Sequence, residues 1–124
     1  WHTLTDGEIR DTNSFESASL DKIGLNRSEI ESRYRSTYFQ HIFSGGYSSG
    51  YYSYIWSAVL DSDGFEAFKE SGDIFNPELA AKYREHILES GGTAEGMDLY
   101  REFRGAEPGI EPLLRNRGLD GSGE

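Results

Sequence analysis

Residues 47–69 read YSSGYYSYIWSAVLDSDGFEAFK, and this stretch indicates the fold of the chain. Its apolar residues recur at the spacing of a helix face, namely Tyr52, Ile55, Trp56, Val59, Leu60, Phe65 and Phe68. We therefore predict a long helix over these residues. An interruption near residues 61–64 is the alternative to a continuous helix.

Upstream of this stretch the sequence predicts one helix and one loop. Asn13 and Glu16 have the spacing of a capping box, and the apolar stripe that follows them ends at Gly24. Residues 25–46 mix charged, aromatic and small side chains and end in two glycines, which allow a tight and mobile backbone. We expect a helix up to Gly24 and a loop beyond it.

Downstream, three shorter helices are predicted from their end signals. Asn76 precedes a proline and an acidic residue, the usual order at a helix start, and the apolar face that follows stops at Gly91. Thr93 is placed to cap the next helix, which Gly105 would close, and a last short helix follows Pro108. Because no segment alternates as a strand would, the sequence predicts an all-α fold.

Composition and charge exclude several classes of function. With 124 residues the chain suits one domain, and neither a repeat nor a composition break marks a second one. Lys and Arg number 12 against 22 Asp and Glu, and this net charge of −10 argues against nucleic-acid or membrane partners. The two Trp, eight Tyr and seven Phe indicate a chain that folds. Residues 120–124 are expected to form a flexible tail.

The residues that usually carry hydrolytic chemistry are missing. Without cysteine there is no disulfide, Cys-ligated zinc or thiol nucleophile. The histidines, His2, His41 and His86, lie far apart in sequence, and no His-Glu-x-x-His motif is present. The serines have no obvious base partner in the sequence, so they give no signal of a catalytic triad. We therefore expect no metal ligands in this chain and no hydrolysis by the chain alone.

Residues 38–56 hold five of the eight tyrosines. If the helix began near Tyr47, then Tyr47, Tyr51 and Tyr54 would share one face. Their hydroxyls and a neutral imidazole of His41 are directional donors that suit an oxyanion or a peptide carboxylate. The pattern alone favours the other interpretation, in which these aromatic side chains pack a helical core.

Glycines precede this tyrosine-rich segment. Gly45 and Gly46 would let the backbone approach a ligand or close over it. They are candidate substrate-binding residues together with Tyr47 and Tyr51.

Three blocks of the sequence resemble, in order, the thimet oligopeptidase and peptidyl-dipeptidase family of zinc metallopeptidases downstream of its zinc site. They are HIFSGGYSSGYYSYIWSAVLDSDGFEAF at 41–68, ILESGG at 87–92 and LYREFRGAEPGIEPLLRNRGL at 99–119. Within the family, YRSTYFQHIFSGGY at 34–47 and the final RGL are most similar to the peptidyl-dipeptidase (dipeptidyl carboxypeptidase) branch. Bacterial oligopeptidase A is the near alternative.

The resemblance implies a mostly helical catalytic domain whose zinc-binding helix and third glutamate ligand lie upstream of the matching region. Residues 1–119 then look like the C-terminal part of that domain, inactive alone, with zinc and the remainder of the domain as partners and short peptides as substrate. The chain starts at Trp1 and its one methionine is Met97, so we expect a fragment or a processed product.

By motif position, the family's site histidine falls on His41, its glycine-loop tyrosine on Tyr47 and its transition-state tyrosine on Tyr54. The resemblance implies that Tyr54 donates to the tetrahedral oxygen, while His41 and Tyr47 hold the substrate backbone or its terminal carboxylate. It reverses the preference for a purely structural role at Tyr54 and His41. Tyr51 is a further candidate.

Other functions and properties stay open at this point. The chain is alternatively a non-catalytic helical module whose aromatic face binds a peptide or a protein, or a truncated regulatory piece. A piece of a larger helical body would expose apolar surface, so we expect self-association. We expect a cytoplasmic location, with the periplasm as the alternative.

Overall fold

The computed structural model describes residues 1–4 and 11–121, and its contacts divide the chain into two compact units, Trp1–Tyr52 and Ser53–Glu124. Residues 122–124 of the expected tail lie outside the described part. The regular secondary structure of the described residues is helical apart from one isolated antiparallel bridge between Arg27 and Ile30, which confirms the all-α prediction. No helix of the described ranges is long and apolar enough to cross a membrane.

The first unit contains helices α1, Thr12–Asp21, and α2, Gln40–Ser44. The predicted capping box is wrong: the N-cap is Asp11, whose carboxylate accepts from the backbone N–H of Asn13 at 3.3 Å and of Ser14 at 3.1 Å. Helix α1 also ends before Gly24, where the backbone turns with φ of 72°. Glu16 therefore does not cap α1, and its carboxylate instead accepts hydrogen bonds from Arg35 and Ser36.

The predicted loop over residues 25–46 is wrong at its end, because α2 occupies Gln40–Ser44. This helix has five residues and no side-chain hydrogen bond at its N-cap. Isolated helices of this length are unstable in water, so tertiary contacts must hold it. The aromatic rings around His41, described below, supply such contacts.

The second unit contains α3, Ser53–Glu70; α4, Pro77–Tyr83, which continues as a π-helical segment, Arg84–Glu89; α5, Gly96–Arg104; and α6, Glu111–Asn116. Helix α3 runs without the interruption considered near residues 61–64. It begins at Ser53, so Tyr47 and Tyr51 precede it in turns. The prediction that these two tyrosines share a helix face with Tyr54 is therefore wrong.

Local end signals predicted some helix boundaries correctly and one incorrectly. The side chain of Asn76 accepts from the N–H groups of Glu78 and Leu79, which confirms the start of α4. Gly105 closes α5 with a φ of 79°, a conformation that costs glycine little. Thr93 does not cap α5, because its hydroxyl donates to the Ser90 carbonyl oxygen at 2.7 Å and the helix begins three residues later.

The core of the second unit lies where α3 meets α5. Ala67, Tyr100 and Phe103 are buried together, and four partly buried side chains pack against them: Leu60, Phe68, Ile87 and Met97. Leu113 of α6 is also buried. Ile55 belongs to the apolar helix face predicted from the sequence, but it is 55% exposed and lies outside this core. The apolar residues that are buried come from the later turns of α3.

A buried carboxylate joins α3 to α5 and to the turn that precedes α6. Asp63 is 5% exposed and accepts from the Tyr100 hydroxyl at 2.6 Å, from Arg104 Nε at 3.1 Å and from the Gly109 N–H at 3.3 Å. Burial and the hydrogen bond to Asp63 raise the pKa of the Tyr100 phenol above its ordinary value of 10.0. Arg104 also binds both carboxylate oxygens of Glu70. Because three donors bond to it, the Asp63 carboxylate is buried without being left unpaired.

Candidate functional site

The candidate residues of the first unit lie on and just after α2. Helix α2 carries His41 and has Gly45 as its C-cap, and a turn with a hydrogen bond from the Gly50 N–H to the Tyr47 carbonyl oxygen follows. This short reversal brings the Tyr47 ring back to within 6.1 Å of the His41 ring, measured between centroids. The structure therefore places the predicted histidine and glycine-loop tyrosine together.

Four aromatic rings surround the imidazole of His41, and we call the five rings together the ring cluster: Tyr34, Phe39, His41, Tyr47 and Tyr51. Within it, the His41 centroid lies 5.3 Å from that of Tyr34 and 5.5 Å from that of Tyr51. Tyr34 stacks on Phe39 with centroids 4.8 Å apart and an interplanar angle of 9°. Aromatic pairs at these separations are mutually attractive, so the cluster holds α2 in place.

One nitrogen of His41 has an unusual environment. Its Nδ1 is buried and has no hydrogen-bond partner among the residues that the structure describes. Leaving a buried polar atom unsatisfied costs about 1–3 kcal/mol, and each such atom in a native structure needs a specific explanation, of which a functional role is one. The imidazole is therefore the most conspicuous candidate for contact with a ligand in this unit.

A recess of about 180 Å³ opens beside His41, and we call it the His41 recess. It is lined by Gln40, His41, Ser44, Gly45, Gly46 and Tyr47. This volume is below the roughly 300–1,000 Å³ of a typical small-molecule pocket, so it fits one polar end or side chain of a ligand. The predicted substrate-binding glycines thus lie beside the predicted histidine.

The two recess glycines do not adopt a left-handed backbone conformation. A Cβ on Gly46 would meet nothing within 4 Å, and one on Gly45 would lie 3.4 Å from the His41 carbonyl oxygen. A Cβ at Gly45 would thus make near-ordinary contact and one at Gly46 would meet open space, so this conformation does not require glycine at either position.

Tyr54 belongs to the second unit, where it lies in the first turn of α3 and is 53% exposed. It is not in the core that the sequence pattern alone favoured for these aromatic side chains. Its proposed role in the transition state stays a prediction from the family resemblance.

Sequence reasoning missed Tyr34, because it considered aromatic density only from residue 38 onward, and it assigned no role to Phe39. The RYR motif at 33–35 was the available signal. The Arg33 guanidinium lies 5.5 Å from the Tyr34 ring centroid. A hydrogen bond to Tyr34, followed by electrostatic interaction with Tyr34 and Tyr51, raises the pKa of Arg33. A permanent cation therefore lies at the edge of the ring cluster.

A larger open cavity, about 890 Å³, lies within the second unit. Its apolar lining includes Leu60, Phe65, Phe68, Tyr83, Ile87 and Phe103. His86 contributes one of its few polar side chains. This cavity was not predicted from the sequence.

The described residues do not fit a metal ion. Within residues 1–4 and 11–121, no three or more His, Cys, Asp or Glu side chains are grouped so that they would hold one. His41, which carries the unsatisfied nitrogen, is surrounded by aromatic rings rather than by carboxylates.

Comparison with known proteins identifies the class to which this fold and recess belong. The model of Peptidase family M3 matches residues 1–119, so the chain belongs to this family. The resemblance seen in the sequence is thereby confirmed.

The individual relatives carry three different enzyme names. The chain is 41% identical to dipeptidyl carboxypeptidase of Escherichia coli over 121 residues, 97% of this chain and 18% of that protein. It is 48% identical to oligopeptidase A of Escherichia coli over 83 residues, 67% of this chain and 12% of that protein. Saccharolysin of Saccharomyces cerevisiae is 37% identical over 81 residues. The chain therefore spans less than a fifth of the length of these relatives.

Proposed function

We propose that the chain is the C-terminal part of the catalytic domain of a metallopeptidase that releases dipeptides from the C-termini of short peptides. Its residues bind the peptide and stabilise the oxyanion, and the isolated chain is inactive. The family match over residues 1–119 supports a peptidase. The observation that carries the proposal is the buried His41 Nδ1 without a hydrogen-bond partner in the described part, beside a recess that tyrosine and glycine line.

The chemistry of these side chains suits peptide binding. Tyrosine hydroxyls and a neutral imidazole donate hydrogen bonds without introducing a charge, which matches carbonyl oxygens and a terminal carboxylate. We assign His41, Tyr47 and Tyr51 to the substrate, with Gly45 allowing its backbone to approach. By resemblance, Tyr54 donates to the oxygen on which negative charge develops during attack on the peptide carbonyl.

Zinc, which the family resemblance implies, does not fit the residues described here. The proposal therefore places its ligands and the general base outside this chain, and no step is derived through the metal.

The test compares dipeptide release by the complete enzyme with that of its Tyr54→Phe variant. We expect kcat to fall by about 10²–10³, as for the loss of one oxyanion donor. Tyr52→Phe is the matched control, because it makes the same chemical change two residues away at a side chain that is 69% exposed. An equal rate in Tyr54→Phe and wild type would remove Tyr54 from catalysis.

Analysis of the cleavage products separates peptidyl-dipeptidase activity from the alternative, oligopeptidase activity. Oligopeptidase A relatives share the higher identity, although over two thirds of the chain only. A peptidyl-dipeptidase should release dipeptides in sequence from a free C-terminus and slow down on the amidated peptide. Cleavage of both peptides at one internal bond would instead support an oligopeptidase. Binding without cleavage would support the non-catalytic module.

A further inference from the structure

Glu16 of α1 contacts a segment about twenty residues further along the chain. Its Oε2 accepts from Arg35 Nε at 2.5 Å, and its Oε1 accepts from the Ser36 backbone N–H at 2.6 Å. Its side chain is 16% exposed, against 47% for Arg35. Hydrogen bonds from Ser36, backbone first, and then Arg35 lower the pKa of Glu16, so its carboxylate stays charged at neutral pH.

We call the hydrogen bonds of Glu16 to Arg35 and Ser36 the clamp, and neighbouring polar groups add further bonds to it. Arg35 Nη2 donates to the Asn13 side-chain oxygen at 2.8 Å, which gives the guanidinium a second anchor on α1. The indole N–H of Trp1 donates to the Ser36 hydroxyl at 2.7 Å. Charge-assisted hydrogen bonds of this kind are stronger than neutral ones. Residues 35 and 36 are therefore fastened to α1 by several independent bonds.

The clamped segment leads directly into the ring cluster. Tyr34 immediately precedes Arg35, stacks on Phe39 and lies 5.3 Å from His41 between ring centroids. The same ring meets Tyr51 edge-on, with centroids 6.3 Å apart and an interplanar angle of 87°. Because Tyr34 adjoins residues 35 and 36, holding their backbone in place also sets the direction of the Tyr34 side chain. The orientation of His41 and Tyr51 thus depends on a side chain that the clamp holds.

We propose that Glu16 is a positioning residue for the His41 recess. By clamping Arg35 and Ser36 it fixes Tyr34, and Tyr34 fixes the ring planes of His41 and Tyr51. Glu16 itself contacts no substrate. Because precise orientation of binding groups contributes strongly to rate, we expect loss of the clamp to lower kcat/KM by about 10-fold.

The experiment uses the complete polypeptide labelled with ¹³C at the histidine Cε1 position and compares Glu16→Gln with the control Glu29→Gln, which removes an exposed carboxylate of the same unit. The His41 signal is assigned as the one that disappears in His41→Gln. We expect it to shift in Glu16→Gln and to stay in place in Glu29→Gln. For a peptide substrate, kcat/KM should fall only in Glu16→Gln.

The His41 chemical shift tests the role of Glu16 whether or not the proposed function is correct. The measurement of kcat/KM, by contrast, rests on the proposed function. An unmoved His41 signal in a folded Glu16→Gln protein overturns the inference, and so does an equal shift in Glu29→Gln. If Glu16→Gln fails to fold, Arg35→Lys, which keeps the charge and breaks the paired hydrogen bonds, is judged by the same shift. If wild type cleaves no peptide, the proposed function fails while the histidine signal still decides the role of Glu16.

Discussion

Gly64 is a buried glycine in the middle of an unbroken helix, and replacing it with alanine should stabilise the chain. It lies in α3, Ser53–Glu70, next to the core of the second unit. A Cβ there would lie 3.6 Å from Phe103 Cε1 and 3.9 Å from the Tyr100 hydroxyl oxygen. These are ordinary van der Waals separations, so the methyl group fits without displacing a neighbour.

The size of the effect follows from two contributions. Glycine in a helix interior is destabilising by roughly 0.5–1 kcal/mol relative to alanine. Burying one methyl group adds up to about 0.8 kcal/mol. The free energy of unfolding should therefore rise by about 0.5–2 kcal/mol, which corresponds to an increase in Tm of at least about 2 °C for a unit of this size.

Urea unfolding of the 124-residue chain at a fixed protein concentration measures the change. We expect a higher midpoint and an unchanged slope, because the variant alters stability and not the surface exposed on unfolding. Gly105→Ala is the matched control: its φ of 79° costs alanine about 1–2 kcal/mol, so its midpoint should fall. A Gly64→Ala midpoint equal to or below wild type would refute the packing described around Phe103.

Two further predictions concern pH and association. Because the pKa of Tyr100 is raised in the folded state, its contribution to stability is complete below the unfolded value of 10.0 and declines as the pH rises above it. Tyr100→Phe should therefore lessen the loss of stability between pH 9 and 11 in urea titrations, and an unchanged slope would contradict this. Exposed apolar side chains such as Phe75, at 82%, and Leu88, at 62%, should cause self-association, so light scattering should give a mass that rises with concentration. A constant monomer mass would contradict it.

Features set by neighbouring residues were predictable from the sequence. Asn76 and the following proline determine the start of α4, and Gly105 determines the end of α5, because each acts through backbone groups within a few residues. The all-α fold follows from the same local information, since helical periodicity recurs wherever the chain buries apolar side chains.

Features set by distant residues were not predictable. Asp63 resembles any solvated helical acid in the sequence, and its burial depends on Tyr100 and Gly109, 37 and 46 residues away. Glu16 has the spacing of a capping box but binds Arg35 and Ser36 instead. Tyr47 has the helical period of α3 yet packs against His41 before the helix begins. In each case a tertiary partner outweighs the local pattern.

Burial separates the residues that stabilise the second unit from the one proposed to act on substrate. Asp63 is 5% exposed and holds three donors, so its loss should damage the fold before it affects chemistry. Tyr54 is 53% exposed on the same helix, so removing its hydroxyl should lower the free energy of unfolding less than the loss of the Asp63 carboxylate does. A large fall in kcat with unchanged stability in Tyr54→Phe would therefore report on catalysis. The same fall in an Asp63 variant would report on the loss of α3 packing.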